Sequence, residues 1–167
     1  VGDDSFAVLL PDDLFFSDIS CLSQLVDTYK KTNSSVIAVN KIDKENIHKY
    51  GVINPGIKEH DAILIEDIIE KPKSDEAPSD IAVCGRYIFT SLIFDHLEAT
   101  NFDKSGEIQL TDAIKSLINN QKVHARLYDG EKFDCGSKKG FVHATIALAL
   151  RDNSISKDIS KIIKEII

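Results

Sequence analysis

Ser5-Phe6-Ala7-Val8-Leu9-Leu10-Pro11-Asp12-Asp13 is a continuous apolar run closed by a proline and two acidic residues. A run without polar alternation is the pattern of a strand buried on both faces, as in a parallel sheet covered by helices. From Ile19 the spacing turns helical: Leu22, Leu25, Val26 and Tyr29 share one stripe, and Lys30, Lys31, Thr32 and Asn33 form a polar exit. Val36-Ile37-Ala38-Val39 then reads as a second strand of β-branched and small residues. Strand, helix and strand compose one right-handed parallel unit, so the expected fold class is α/β of the doubly wound kind.

Outward from that unit the pattern loosens. Short strands are expected around Gly51-Val52-Ile53, from Ala62 to Ile69 and from Ile81 to Phe89, separated by turn-rich Asn54-Pro55-Gly56 and Pro72-Lys73-Ser74-Asp75. Helices follow from Ser91 to Ala99 and from Leu110 to Asn119, the second started by Thr111 or the polar turn before it. Val123 to Tyr128 and Lys132-Phe133 read as a closing hairpin around Asp129-Gly130, a favoured turn pair. Lys139 to Leu150 reads as a helix, and Ile159, Ile162, Ile163, Ile166 and Ile167 repeat at helical spacing. That last stripe, within residues 155–167, needs an apolar neighbour, either this domain or a second copy in a homo-oligomer. No repeat, low-complexity tract or linker interrupts the chain, so residues 1–167 are expected to form a single domain.

With 167 residues, 43% of them hydrophobic and 28% charged, the chain can bury a core without disulfides or a structural metal. No apolar run approaches the roughly 20 residues that cross a bilayer. Twenty basic against 27 acidic residues leave a net charge of −7 with no basic stripe, which removes the attraction that dominates nucleic-acid affinity. Neither nucleic acid nor membrane is an expected partner. Cys21, Cys84 and Cys135 form no Cys-x-x-Cys pair and no cluster with the five histidines, and no secretory signal is visible, which suits the cytoplasm. Packing or surface roles are the first expectation for the histidines, and packing for Cys135.

Four groups carry candidate chemistry. Asp12 and Asp13 follow the end of an apolar strand, where open α/β sheets place ligand crevices, and paired carboxylates there suit either Mg²⁺ or an acidic helix start. Glu70-Lys71-Pro72 ends a strand with an acceptor for hydroxyl groups beside a compact cation for a phosphate; a solvated strand end is the plain alternative. Asp134 stands between an aromatic residue and Gly136, where backbone can approach a ligand, although a turn aspartate is the commoner reading. Gly51 and Gly85 are strand glycines that mark a bulge, close packing or a ligand approach. Asp112 is accounted for by the positive end of a helix dipole.

Taken in order, Leu10-Pro11-Asp12-Asp13, Tyr50-Gly51-Val52, Glu70-Lys71-Pro72, Gly106-Glu107-Ile108-Gln109-Leu110-Thr111-Asp112 and Phe133-Asp134-Cys135-Gly136 resemble the bacterial UTP-glucose-1-phosphate uridylyltransferases, a family of sugar nucleotidyltransferases, from Phe6 to Arg151. The resemblance implies a Rossmann-like fold with a mixed, mostly parallel sheet flanked by helices. It also implies that UTP and glucose 1-phosphate give UDP-glucose and pyrophosphate. By the same resemblance Asp12 and Asp134 are the Mg²⁺ ligands, with Asp13 in reserve; Glu70 binds glucose, Lys71 meets the sugar phosphate, the backbone of Gly51 approaches the sugar, and Gly85 and Glu107 are further sugar-side contacts. Lys71, Asp12 and Asp134 are the implied catalytic residues.

Such enzymes carry a Gly-Gly-x-Gly-Thr-Arg loop and a nearby lysine, a motif not found in these residues. The chain is therefore expected to be the N-terminally incomplete, sugar and metal side of a longer enzyme, and to turn over negligibly alone. Thymidylyltransferases share much of the pattern, but Gly106 to Asp112 and Ala82 to Tyr87 favour the uridylyl branch. A non-catalytic nucleotide-sugar binding module and a metal-dependent glycosyltransferase are the readings from other classes; the order of the motifs argues against the latter.

Overall fold

The computed structural model describes residues 1–103 and 106–166. In chain order its elements are β1 (Phe6–Leu9), β2 (Asp13–Phe16), α1 (Cys21–Thr32), β3 (Ser35–Lys41), a 3-10 helix (Lys44–Lys49), β4 (Gly51–Glu59), β5 (Ala62–Glu70), β6 (Ile81–Phe89), α2 (Ile93–Ala99), α3 (Leu110–Ile118), β7 (Val123–Leu127), β8 (Glu131–Asp134), α4 (Lys138–Ala149) and α5 (Ser156–Ile166). They fall into two compact units, one of Val1–Leu9 with Ile19–Asp129, the other of Leu10–Asp18 with the chain from Gly130 onward.

The first unit is a six-stranded sheet in the order β1-β6-β3-β7-β5-β4, with a further pairing of β4 to β6. Ile37, Val39, Ile53, Ile65, Phe89 and Ala125 on the strands join Ile93, Ile114 and Leu117 of α2 and α3 in one core. Strand alternation turns Val36 and Ala38, both fully buried, to the other face, where α1 packs on β3, β6 and β7. Helices thus flank a mixed sheet, as expected. The parallel share is smaller than expected: among the described pairings only β3 with β7 is parallel.

The opening strand departs from its expected place. β1 ends the strand order and alternates half-buried Phe6 and Val8 with exposed Ala7 and Leu9, so it is covered on one face rather than two. Phe6 stacks on Phe94 at 5.0 Å, which accounts for its apolar character without a second layer. Both β1 and β3 run antiparallel to β6, which lies between them; they share a direction without being neighbours.

On α1 the buried stripe is Cys21, Gln24, Leu25 and Thr28, turned from the expected Leu22, Leu25, Val26 and Tyr29. Gln24 causes the turn, because its amide is satisfied inside: Nε2 donates to the carbonyls of Ile19 and Asp129, and Oε1 accepts from the Asp129 amide, all at 2.9 Å. His124 is likewise buried, between Ser34 Oγ at 2.6 Å from Nδ1 and Glu59 Oε2 at 3.0 Å from Nε2.

Two turn expectations are corrected. Asn54-Pro55-Gly56 does not interrupt a strand but lies within β4, where the register against β5 shifts. Val123 to Tyr128 and Lys132-Phe133 do not form a hairpin. β7 has β3 on one side and β5 on the other, so no ladder edge is left for β8, which pairs with β2 instead.

The second unit is built on that β2–β8 ladder, with Asp13 opposite Asp134 and Phe16 opposite Glu131. Phe133 and Ala144 of α4 are its buried apolar residues, and the His143 ring meets Phe133 edge-on at 5.4 Å. The Arg151 guanidinium lies over Phe16, 4.9 Å from the ring centroid, and pairs with Glu131. α5 touches α4 but buries none of its own residues: Ile162 and Ile166 stand exposed, and Ile167 lies outside the described residues.

Candidate functional site

In the first unit, Gly51 opens β4 directly across from Glu70, which closes β5. Thr111, in the first turn of α3, donates its hydroxyl to Glu70 Oε2 at 2.6 Å, and Lys71 Nζ lies 3.4 Å from Glu70 Oε1. A Cβ built on Gly51 would stand 3.2 Å from both Glu70 Oε2 and Thr111 Oγ1, so a bare backbone is what brings β4 this close to the carboxylate. Two carboxylate oxygens offer about four acceptor positions, and the Thr111 hydrogen bond with the Lys71 ion pair leaves capacity for hydroxyl groups of a ligand.

Lys71 is held in an uncommon backbone state. Its φ is +44°, although it is not glycine and precedes Pro72, which pushes its neighbour toward extended backbone. The Lys71 amide donates to the Tyr50 carbonyl at 3.1 Å and Pro72 is buried, which together fix the bend and leave the ammonium exposed. Such positions store about 1–3 kcal/mol and cluster at functional sites. Lys71→Gly is accordingly expected to gain about 1 kcal/mol of stability in urea denaturation while losing the cation.

α3 is tied to β5 a second time, by Lys115 Nζ to Asp67 Oδ1 at 2.8 Å. Burial raises the Asp67 carboxyl, but the Lys115 and Ile68 amide hydrogen bonds outweigh it and hold it below its ordinary 3.8. A lowered folded value contributes stability above the unfolded value and loses it as pH falls through the folded one. The stability advantage over Lys115→Met should therefore be complete above about pH 4 and vanish at lower pH, as urea denaturation across pH 6 to 2.5 would show.

Glu107 and Gly85 are the other residues expected on the sugar side. Glu107 is exposed, its amide donating to Asp103 Oδ1 at 3.0 Å and its carbonyl accepting from the Asp103 amide at 2.8 Å. Among the described residues no hydrogen bond or ion pair joins it to Glu70; Thr111, four residues on, makes that bond. Gly85 is buried in β6 where the strand bulges against β3, between the paired positions Val83 and Tyr87.

In the second unit the acidic residues sort themselves. A Cβ on Gly136 would lie 3.1 Å from Asp12 Oδ2 and 3.2 Å from Asp134 Oδ1, so the two carboxylates converge on the bare backbone there and a side chain would crowd both. Backbone bonds set the pair: the Cys135 amide donates to the Asp12 carbonyl at 2.7 Å, and the Gly136 amide to Asp134 Oδ1 at 3.0 Å. Asp13 is buried and bonded to Lys132 Nζ at 2.9 Å, which gives it a structural ion pair. Beside the pair is a cavity of about 410 Å³ lined by Pro11, Asp12, Leu14, Cys135 and Phe141. Among the described residues no three His, Cys, Asp or Glu side chains form a closed metal cage. Two hard oxygen donors over a glycine fit a cation whose remaining ligands are phosphate oxygens and water.

Residues 1–150 match the family described as Nucleotidyl transferase. The UTP-glucose-1-phosphate uridylyltransferase of Staphylococcus epidermidis is 43% identical over 166 residues, 99% of this chain and 58% of that protein. A crystal structure of UDP-glucose pyrophosphorylase complexed with UDP-glucose superposes with a TM-score of 0.84 at 38% identity, over 89% of this chain and 57% of the other. A UTP-bound enzyme of the same kind from Acinetobacter baumannii gives 0.84 at 32% identity, over 99% and 58%. The chain thus spans a little under three fifths of the length of the relatives it matches.

Proposed function

Because this chain belongs to the nucleotidyl transferase family, we propose that the protein carrying it makes UDP-glucose and pyrophosphate from UTP and glucose 1-phosphate, with Mg²⁺. The convergence of Asp12 and Asp134 over Gly136 is the observation that carries this reading. The names of the relatives supply the nucleotide and the sugar.

In the reaction, a phosphate oxygen of glucose 1-phosphate forms a bond to the α-phosphorus of UTP. The bond from that phosphorus to the pyrophosphate oxygen breaks in line with it, so no covalent enzyme intermediate is needed. Catalysis is then a matter of holding two anions in register. Glu70 accepts hydrogen bonds from sugar hydroxyls, and Gly51 leaves the room beside it. The exposed ammonium of Lys71 neutralises the attacking phosphate. Asp12 and Asp134 would hold the Mg²⁺, which when bound offsets charge on the phosphate oxygens. No disulfide joins Cys21, Cys84 or Cys135, in keeping with a cytoplasmic enzyme.

The reverse direction tests the reaction class. Full-length enzyme given UDP-glucose, pyrophosphate and Mg²⁺ should form UTP and glucose 1-phosphate. Transfer of glucose to an acceptor alcohol with release of UDP would identify a glycosyltransferase instead, and binding of UDP-glucose without turnover a non-catalytic module.

A further inference from the structure

We infer that Thr111 is a positioning residue for sugar recognition: its hydroxyl bond to Glu70 Oε2 fixes which carboxylate lone pairs face the sugar. This rests on the reading of Glu70 as the sugar acceptor. The terminal torsion of a glutamate is soft and roughly two-fold, so an unheld carboxylate presents its oxygens over a broad arc. Here Oε2 accepts the Thr111 hydroxyl at 2.6 Å, while Oε1 meets the Lys71 ammonium only as an ion pair at 3.4 Å, so the hydrogen bond sets the plane.

Among the described residues the Thr111 hydroxyl makes no other hydrogen bond. The cap position of α3 is Gln109, whose side chain makes no cap bond and donates instead to Asp103 Oδ2 at 2.7 Å. Four residues along the same helix, Lys115 holds Asp67 of the same strand, so Thr111 is carried on an element anchored to the strand it orients. Gly51 completes the arrangement, because any side chain there would press on the hydroxyl and the carboxylate oxygen together.

Thr111→Val keeps the shape and removes the donor. In full-length enzyme it should raise KM for glucose 1-phosphate about tenfold, with kcat and KM for UTP within about twofold of wild type. Thr111→Ser should restore the sugar KM, and Thr111→Ala should reproduce the defect, which separates loss of the hydroxyl from faulty packing of valine. Glu70→Gln is measured in parallel. If it raises the sugar KM while Thr111→Val and Thr111→Ala do not, the role of Thr111 is overturned and that of Glu70 stands. A Glu70→Gln enzyme with an unchanged sugar KM overturns both.

Discussion

Asp134→Asn is expected to lower pyrophosphate release about 100-fold or more, roughly 2.7 kcal/mol of barrier, while leaving the fold intact. The fold should survive because the change preserves volume, and the new amide oxygen can still accept the Gly136 amide that now bonds Asp134 Oδ1 at 3.0 Å. What is lost is one of two negative charges over Gly136, where a Mg²⁺ site has few protein ligands to spare. The defect should soften as Mg²⁺ is raised, because a weakened site refills by mass action. Asp13→Asn provides the contrast. It breaks the buried contact with Lys132, so it should lower the urea midpoint without changing the Mg²⁺ dependence. Equal Mg²⁺ profiles for wild type and Asp134→Asn would remove Asp134 from the metal site.

Gly140→Ala is expected to destabilise the second unit by about 3 kcal/mol and to abolish activity in full-length enzyme. In an ordinary helix position the same change would help by about 1 kcal/mol, because alanine is the better helix former. Here the sign reverses, since a Cβ on Gly140 would overlap the backbone carbonyl oxygen of Asp134. Backbone cannot swing aside as a side chain can, so either α4 or the end of β8 must move, and Asp134 would move with it. The Ser137 hydroxyl that caps α4 by accepting from the Gly140 amide at 3.0 Å would be displaced as well. Thermal unfolding and circular dichroism check the stability, and pyrophosphate release checks the site. A variant as stable as wild type would show that the close helix–strand approach is not needed.

The sequence rendered helices well and strand partners poorly, for physical reasons. A stripe such as Ala113, Ile114 and Leu117 is local, and α3 begins at Leu110 as its spacing indicates. Pairing is non-local: nothing in Lys132-Phe133 tells that β7 is already paired on both sides, or that Asp13–Phe16 is the strand that receives β8. Four-residue β2 has no alternation long enough to stand out. An apolar run such as Phe6 to Leu10 reads alike at an edge and at a centre, since aromatic stacking can replace a second layer.

The candidate site was legible as residue types in order, because Asp12, Asp134, Gly51, Glu70 and Lys71 each sit in a short motif. Their neighbours were not. Thr111 carried no signal beyond membership in the Gly106 to Asp112 segment, and its bond to Glu70 spans 41 residues of chain. Gly140 resembled any glycine in an early helical turn. The difference between Asp12 and Asp13 likewise lies in Lys132, which is 119 residues from Asp13 (132 − 13).

The most direct test of the account is pyrophosphate release by the full-length enzyme from glucose 1-phosphate and Mg²⁺, with UTP compared against dTTP. The account predicts rapid release with UTP and a clear preference for it over dTTP. Equal or faster release with dTTP would place the protein among the thymidylyltransferases, and no release with either nucleotide would contradict the assignment of the Asp12, Asp134, Glu70 and Lys71 groups to nucleotidyl transfer.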